Sequence, residues 1–139
     1  MKSLELNWIR KKCDKTLVMP EVMFHELDYG GLYIDPEDCE YYDMDGHPIH
    51  AGNGLIIVDT TYPEDVESTI SHEWRHHWQL FNGFKYDGIG WEDGLDGDDY
   101  DIRLKKYFTH SRAEMDALKF QYKHSFICPH WEEILFDYL

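Results

Sequence analysis

Hydrophobic positions along the chain follow two different periods. From Ser3 onward Leu6, Ile9, Cys13 and Leu17 recur at helical spacing with charged residues between them, which predicts an amphipathic first helix. Three short apolar segments bounded by turn residues follow: Glu21 to Glu26 after Pro20, Leu32 to Asp35 after the Gly30-Gly31 pair, and Gly54 to Thr60. Each reads as a strand, and GLIIVDT is the strongest of them. Connections this short predict antiparallel pairing, with DPEDCEYYDMDGHP as a turn-rich insertion.

The period then lengthens. Val66, Ile70, Trp74, Trp78 and Phe81 mark one face of a helix, Thr61 with Pro63 and Glu64 has the form of a capping box at its start, and Gly83 is placed to end it. The stretch from Phe84 to Asp101 is dense in Gly and Asp and reads as a long exposed loop. Two further helices fit Ser111 to His124 and His130 to Tyr138, the latter with Trp131, Ile134, Leu135 and Tyr138 as its stripe. With no repeat and no linker, residues 1–139 are expected to form one α+β domain. Its small, mostly antiparallel three-stranded sheet should pack on the helix around Trp74.

Composition narrows the function classes. A hydrophobic share of 42% supports a core, and 16% aromatic residues make an aromatic-lined cleft plausible. The formal charge of -15 repels phosphate backbones and anionic headgroups, so neither a nucleic acid nor a membrane is the expected partner. Cys13, Cys39 and Cys128 are odd in number and lack C-x-x-C spacing, which points to reduced thiols. The first residues lack the apolar stretch of a signal peptide, and the run Leu55 to Val58 is too short to span a bilayer, so a cytoplasmic protein is expected.

The chemistry lies in Ser71-His72-Glu73-Trp74-Arg75-His76-His77, an H-E-x-x-H motif inside the best-supported helix. Residues four apart sit nearly in line, one turn apart, so His72 and His76 can reach a single tetrahedral ion. Glu73 is offset from them toward the ion's open position, where a carboxylate takes a proton from water. With 9 His and 12 Glu in the chain, about 0.05 matches arise by chance. Both histidines also lie outside the apolar stripe, unlike ordinary core histidines.

A catalytic zinc takes a third protein ligand and leaves one position open. Glu114 in SRAEMDALKF is the candidate, because Ala117 one turn on would let its helix approach the metal helix closely; Asp116, His110 and His77 are the rivals. Donors for an oxyanion come down to His110, Arg112, Tyr107 or Tyr122. Asp93 to Asp101 holds five Asp, a density that suits calcium or, more simply, a solvated loop or lid, and Cys128-Pro129-His130 offers too few donors for a site.

His72, Glu73 and His76 resemble the signature of the zincin metallopeptidases, and Glu114-Met115-Asp116-Ala117 resembles the E-x-x-A motif that supplies the third ligand in the gluzincin branch. The layout over residues 3 to 124 is similar to the minimal core of the ImmA/IrrE-type intracellular peptidases, which bacteria and phages encode. Leu118 stands where some relatives carry Asp, and no third histidine follows His76. The resemblance implies a zinc-dependent peptidase with His72, His76 and Glu114 as metal ligands and Glu73 as general base. It also implies polypeptide substrates that pair along Gly54 to Thr60 as a sheet edge, and action in the cytoplasm, that of the host for a phage-encoded enzyme. The competing expectation is a non-catalytic zinc-binding protein acting as a protein-interaction module.

Overall fold

The computed structural model describes residues 20–26, 30–36, 41–42, 48–49, 53–84 and 99–139. The first helix expected from Ser3, Cys13 and Cys39, and most of the acidic loop lie outside the described residues.

Strands β1 (Glu21–His25), β2 (Gly31–Ile34) and β5 (Leu55–Asp59) form one sheet in the order β1-β5-β2. A separate two-stranded ladder joins β3 (Tyr41–Tyr42) to β4 (Pro48–Ile49). The sheet is mixed, which corrects the mostly antiparallel expectation: β1 runs parallel to β5 from Glu21 opposite Leu55 to His25 opposite Asp59, while β2 runs antiparallel to β5. Gly54 to Thr60 is likewise not an edge. Leu55, Ile56, Ile57 and Val58 are all buried, so this strand needs cover on both faces and neighbours on both sides, which only the central place provides. β1 and β2 have half-buried patterns and take the two edges.

Helix α1 (Val66–Phe81) lies on one sheet face, where Ile70 and Trp74 meet Val22, Ile56 and Val58. Ile34, Leu55 and Ile57 cluster on the opposite face. A single 3₁₀ turn at Pro63–Asp65 leads into α1 in place of the expected capping box. Thr61 instead bonds back to Asp59, its hydroxyl donating to Oδ1 at 2.7 Å and its backbone N–H at 3.1 Å. Beyond the helix end Gly83 adopts φ +70, the left-handed conformation that turns the chain away from the axis.

A helix that the sequence reading did not anticipate follows: α2 (Tyr100–Thr109) overlaps the expected loop only at Tyr100 and Asp101 and fills the stretch before Ser111. Asp99 caps it by accepting from Ile102 N at 2.9 Å, and Asp101 pairs with His130 at 2.8 Å. Two of the five clustered Asp therefore have local structural partners. Helix α3 (Arg112–His124) is capped by Ser111, whose hydroxyl accepts from Glu114 N at 3.1 Å. Helix α4 (Pro129–Leu135) ends in a 3₁₀ turn, Phe136–Tyr138. Leu104 and Phe108 of α2, Leu118 of α3 and Leu135 of α4 form a second core. Phe120 of α3 stacks on Trp74 with ring centroids 5.7 Å apart. α1 thus lies between the sheet and α3, and the polar site forms where α1 and α3 meet.

Candidate metal centre

His72 and His76 lie one turn apart on α1 with ring centroids 5.1 Å apart, and both turn Nε2 toward α3. Glu114, in the first turn of α3, meets them with both oxygens: Oε2 is 3.3 Å from His72 Nε2, and Oε1 is 2.6 Å from His76 Nε2. Ligand atoms of these three residues all lie within 4.8 Å of one another. Fully buried Ala113 and Ala117 flank Glu114 on α3, and their small side chains permit the close approach of the two helices.

The remaining imidazole nitrogens are held by amides. His72 Nδ1 is 3.0 Å from Gln121 Oε1, and His76 Nδ1 is 2.9 Å from Gln79 Oε1. Each amide is oriented by its other end: Gln121 Nε2 donates to the Phe126 carbonyl at 3.1 Å, and Gln79 Nε2 donates to the Ala113 carbonyl at 2.8 Å and to Asp116 Oδ2 at 2.8 Å. Since a backbone carbonyl only accepts, each Oε1 must face its imidazole, each Nδ1 must carry a proton, and each Nε2 is the nitrogen left for a ligand bond. Two nitrogens and one carboxylate oxygen make a donor set suited to zinc, and donors on one tetrahedral zinc sit about 3.3 Å apart, close to the His72 to Glu114 distance. The residues therefore offer a donor set that such an ion would take, with Gln79 and Gln121 orienting the two imidazoles.

Electrostatics bind the three together. Burial raises the Glu114 carboxyl, but hydrogen bonds from His72 and His76 outweigh it and hold the group well below the ordinary range. Burial lowers His76, but the Glu114 bond and the charges of Glu73 and Glu114 prevail and carry the imidazole up to about 9. Without an ion, the cluster thus holds a proton between His76 and Glu114. Buried Glu73 lines the cleft beside them; burial pushes its carboxyl up, with His76 and His72 pulling against that and Glu114 adding to it.

The rivals for the third ligand have other partners. Asp116 receives Arg75 Nε at 2.8 Å and a second guanidinium nitrogen at 3.3 Å, His77 is buried against Tyr33, and His110 is exposed at the end of α2. Arg75 also lies over the Trp78 ring, 3.7 Å from its centroid. Of the four candidate oxyanion donors, Tyr107 lines the cleft with Glu73, His76 and Glu114, Arg112 lines a different depression, and Tyr122 donates to Glu132 at 3.1 Å. The cleft holds about 390 Å³ and is bounded by β2 on one side and by Leu80, Phe84 and Tyr107 on the other. Gln79 and Gln121 escaped the sequence reading because amides carry no signature, although Gln79 follows His76 by three residues and Gln121 follows Glu114 by two helical turns.

Comparison of the chain with protein families, with curated proteins and with solved structures finds no match.

Proposed function

We propose that this chain is a zinc-dependent metallopeptidase in which His72, His76 and Glu114 hold the ion and Glu73 is the general base. The observation that carries this reading is the placement of both imidazoles: a glutamine oxygen stands at each Nδ1, and both Nε2 atoms face one carboxylate. An ion held there supplies Lewis-acid polarisation of a carbonyl and brings the pKa of water down to about 7. Glu73, adjacent to one ligand but turned to the cleft, takes a proton from the attacking water and passes it to the leaving amine. Tyr107 supplies a hydroxyl on the cleft wall for the developing oxyanion. Residues 31–34 of β2 form the sheet edge beside the cleft, and an extended polypeptide pairs there rather than on the central β5.

Zinc content per chain, together with cleavage of a peptide library, tests the reading. The natural protein should carry near one zinc and Glu114→Ala markedly less, while Glu73→Gln should keep zinc and lose turnover by at least about a thousandfold. A protein that stays empty when supplied with zinc would sink the proposal. Full zinc with no dependence on Glu73 would favour the non-catalytic interaction module.

A further inference from the structure

Turn by turn, α1 orders the polar features of this molecule. Its first turns, with Ser68 and Thr69, face a second cleft of about 270 Å³; His72 and His76 carry the ligand cluster; Gln79 and Leu80 face the first cleft. β2 runs alongside in the same direction, since the Gly31 position lies against Thr69 and Glu73 while the Tyr33 hydroxyl reaches His77. The second cleft therefore lies toward the start of α1 from the ligand cluster, whose His76 and Glu114 line the first cleft. The centres of the second cleft and of the ligand pair are about seven residues apart on the helix, or about 10 Å. An extended chain covers that distance in about three residues.

The walls of the second cleft differ from those of the first. Tyr62 and Phe126 are 59% and 51% exposed, and Trp131 stands beside them. Asp59, whose Oδ1 also accepts from Thr61, and Asp65 supply carboxylates, and among the described residues no Lys or Arg lines the cleft. Asp65 makes no side-chain cap to α1 and forms no ion pair among the described residues. Burial and the neighbouring charge of Glu64 both raise its carboxyl. Aromatic faces beside carboxylates suit an organic cation, whereas a hard divalent ion requires a shell of oxygens.

We propose that the cleft formed by Asp59, Asp65, Tyr62, Phe126 and Trp131 is a subsite that receives a lysine or arginine side chain of the polypeptide substrate, about three residues from the bond that is cut. This rests on the peptidase reading above and names its substrate class. Gln121 forms part of the same cleft while accepting from His72 Nδ1, so an occupant there lies against the support of a metal ligand.

The experiment uses full-length, zinc-loaded protein carrying Glu73→Gln, with binding measured to two decapeptides that differ only by lysine or norleucine at one position, scanned along the peptide. At one position lysine should bind about tenfold tighter than norleucine, and Asp65→Asn or Tyr62→Ala should bring that ratio close to one at unchanged zinc content. Equal binding of the two peptides at every position, or a ratio untouched by both substitutions, overturns the subsite. Because binding is read without turnover, that result is separate from failure of the peptidase reading, which would appear as missing zinc or as cleavage indifferent to Glu73. Competition by calcium but not by arginine would assign the cleft to a metal ion and also refute the proposal.

Discussion

Gln79 joins the two helices through His76: its Oε1 accepts from His76 Nδ1 at 2.9 Å, while its amide nitrogen donates across to the Ala113 carbonyl and to Asp116, each at 2.8 Å. A glutamine is required because the residue must accept on one side and donate on the other. Gln79→Leu should weaken zinc binding by about 10- to 100-fold. Gln79→Glu, which at many metal centres strengthens the histidine ligand, should also weaken it here, because it sets a carboxylate against a carbonyl and against Asp116. Competition with a chromogenic chelator measures both, and tighter binding in Gln79→Glu would overturn the orientation assigned to this amide.

The proton held between His76 and Glu114 makes zinc uptake pH-dependent. With His76 raised to about 9, the ion must displace a proton throughout the neutral range. Affinity should rise by about tenfold per pH unit from pH 7 and level off near 9. In the ion-free protein the sign reverses. The raised His76 adds stability that is complete below its ordinary value of 6.5 and is lost as pH climbs through about 9, and the lowered Glu114 adds stability that is complete above 4.5 and is lost on acidification. The gain in melting temperature on adding zinc should therefore grow from pH 6.5 to pH 9. A gain independent of pH would mean that the cluster does not hold this proton.

Much of the site was legible before the fold. The helix of His72, Glu73 and His76 announces itself through a 3.6 period that coincides with a ligand spacing, and Glu114 could be placed because its helix has a face marked by Ala117. Strand order was not legible from connection lengths, since pairing is non-local. The uninterrupted run Leu55 to Val58 did carry the information that this strand is central, because an edge strand alternates and a strand buried on both faces does not. Helix α2 was not anticipated: the acidic run before it reads as loop, yet Asp99 is a cap and Leu104 with Phe108 are one turn apart. The supporting glutamines depend on contacts between two helices that no local pattern encodes.

Tyr33 ties the edge strand to α1 without touching the ligands. Its hydroxyl is 2.8 Å from His77 Nδ1, and burial, with the charge of Asp35 second, pushes the phenol up, so it remains protonated and donates. Tyr33→Phe removes this bond from a fully buried imidazole and should cost about 1 to 2 kcal/mol of stability in urea denaturation. Zinc affinity should stay within about twofold of the natural protein, since His77 is outside the cluster. A large loss of zinc in Tyr33→Phe would instead implicate His77 in the metal centre.

The approach of β2 to Glu73 rests on the absence of a side chain at Gly31. A methyl group there would lie 2.5 Å from Thr69 Cγ2, 3.2 Å from Glu73 Cγ and 3.2 Å from the Ile57 carbonyl oxygen. Gly31→Ala should therefore push the strand off the helix, costing about 1 to 3 kcal/mol and lowering turnover. Thr69→Ser deletes the methyl in the closest contact, so combining the two substitutions should recover about 1 kcal/mol beyond additivity, with recovery incomplete because the other two contacts persist. Strictly additive costs would show that Thr69 does not set the distance between strand and helix. None of the three ligands is altered in either variant, so zinc content should remain near one per chain, and a fall in turnover at full zinc assigns the effect to the position of Glu73 rather than to the ligand cluster.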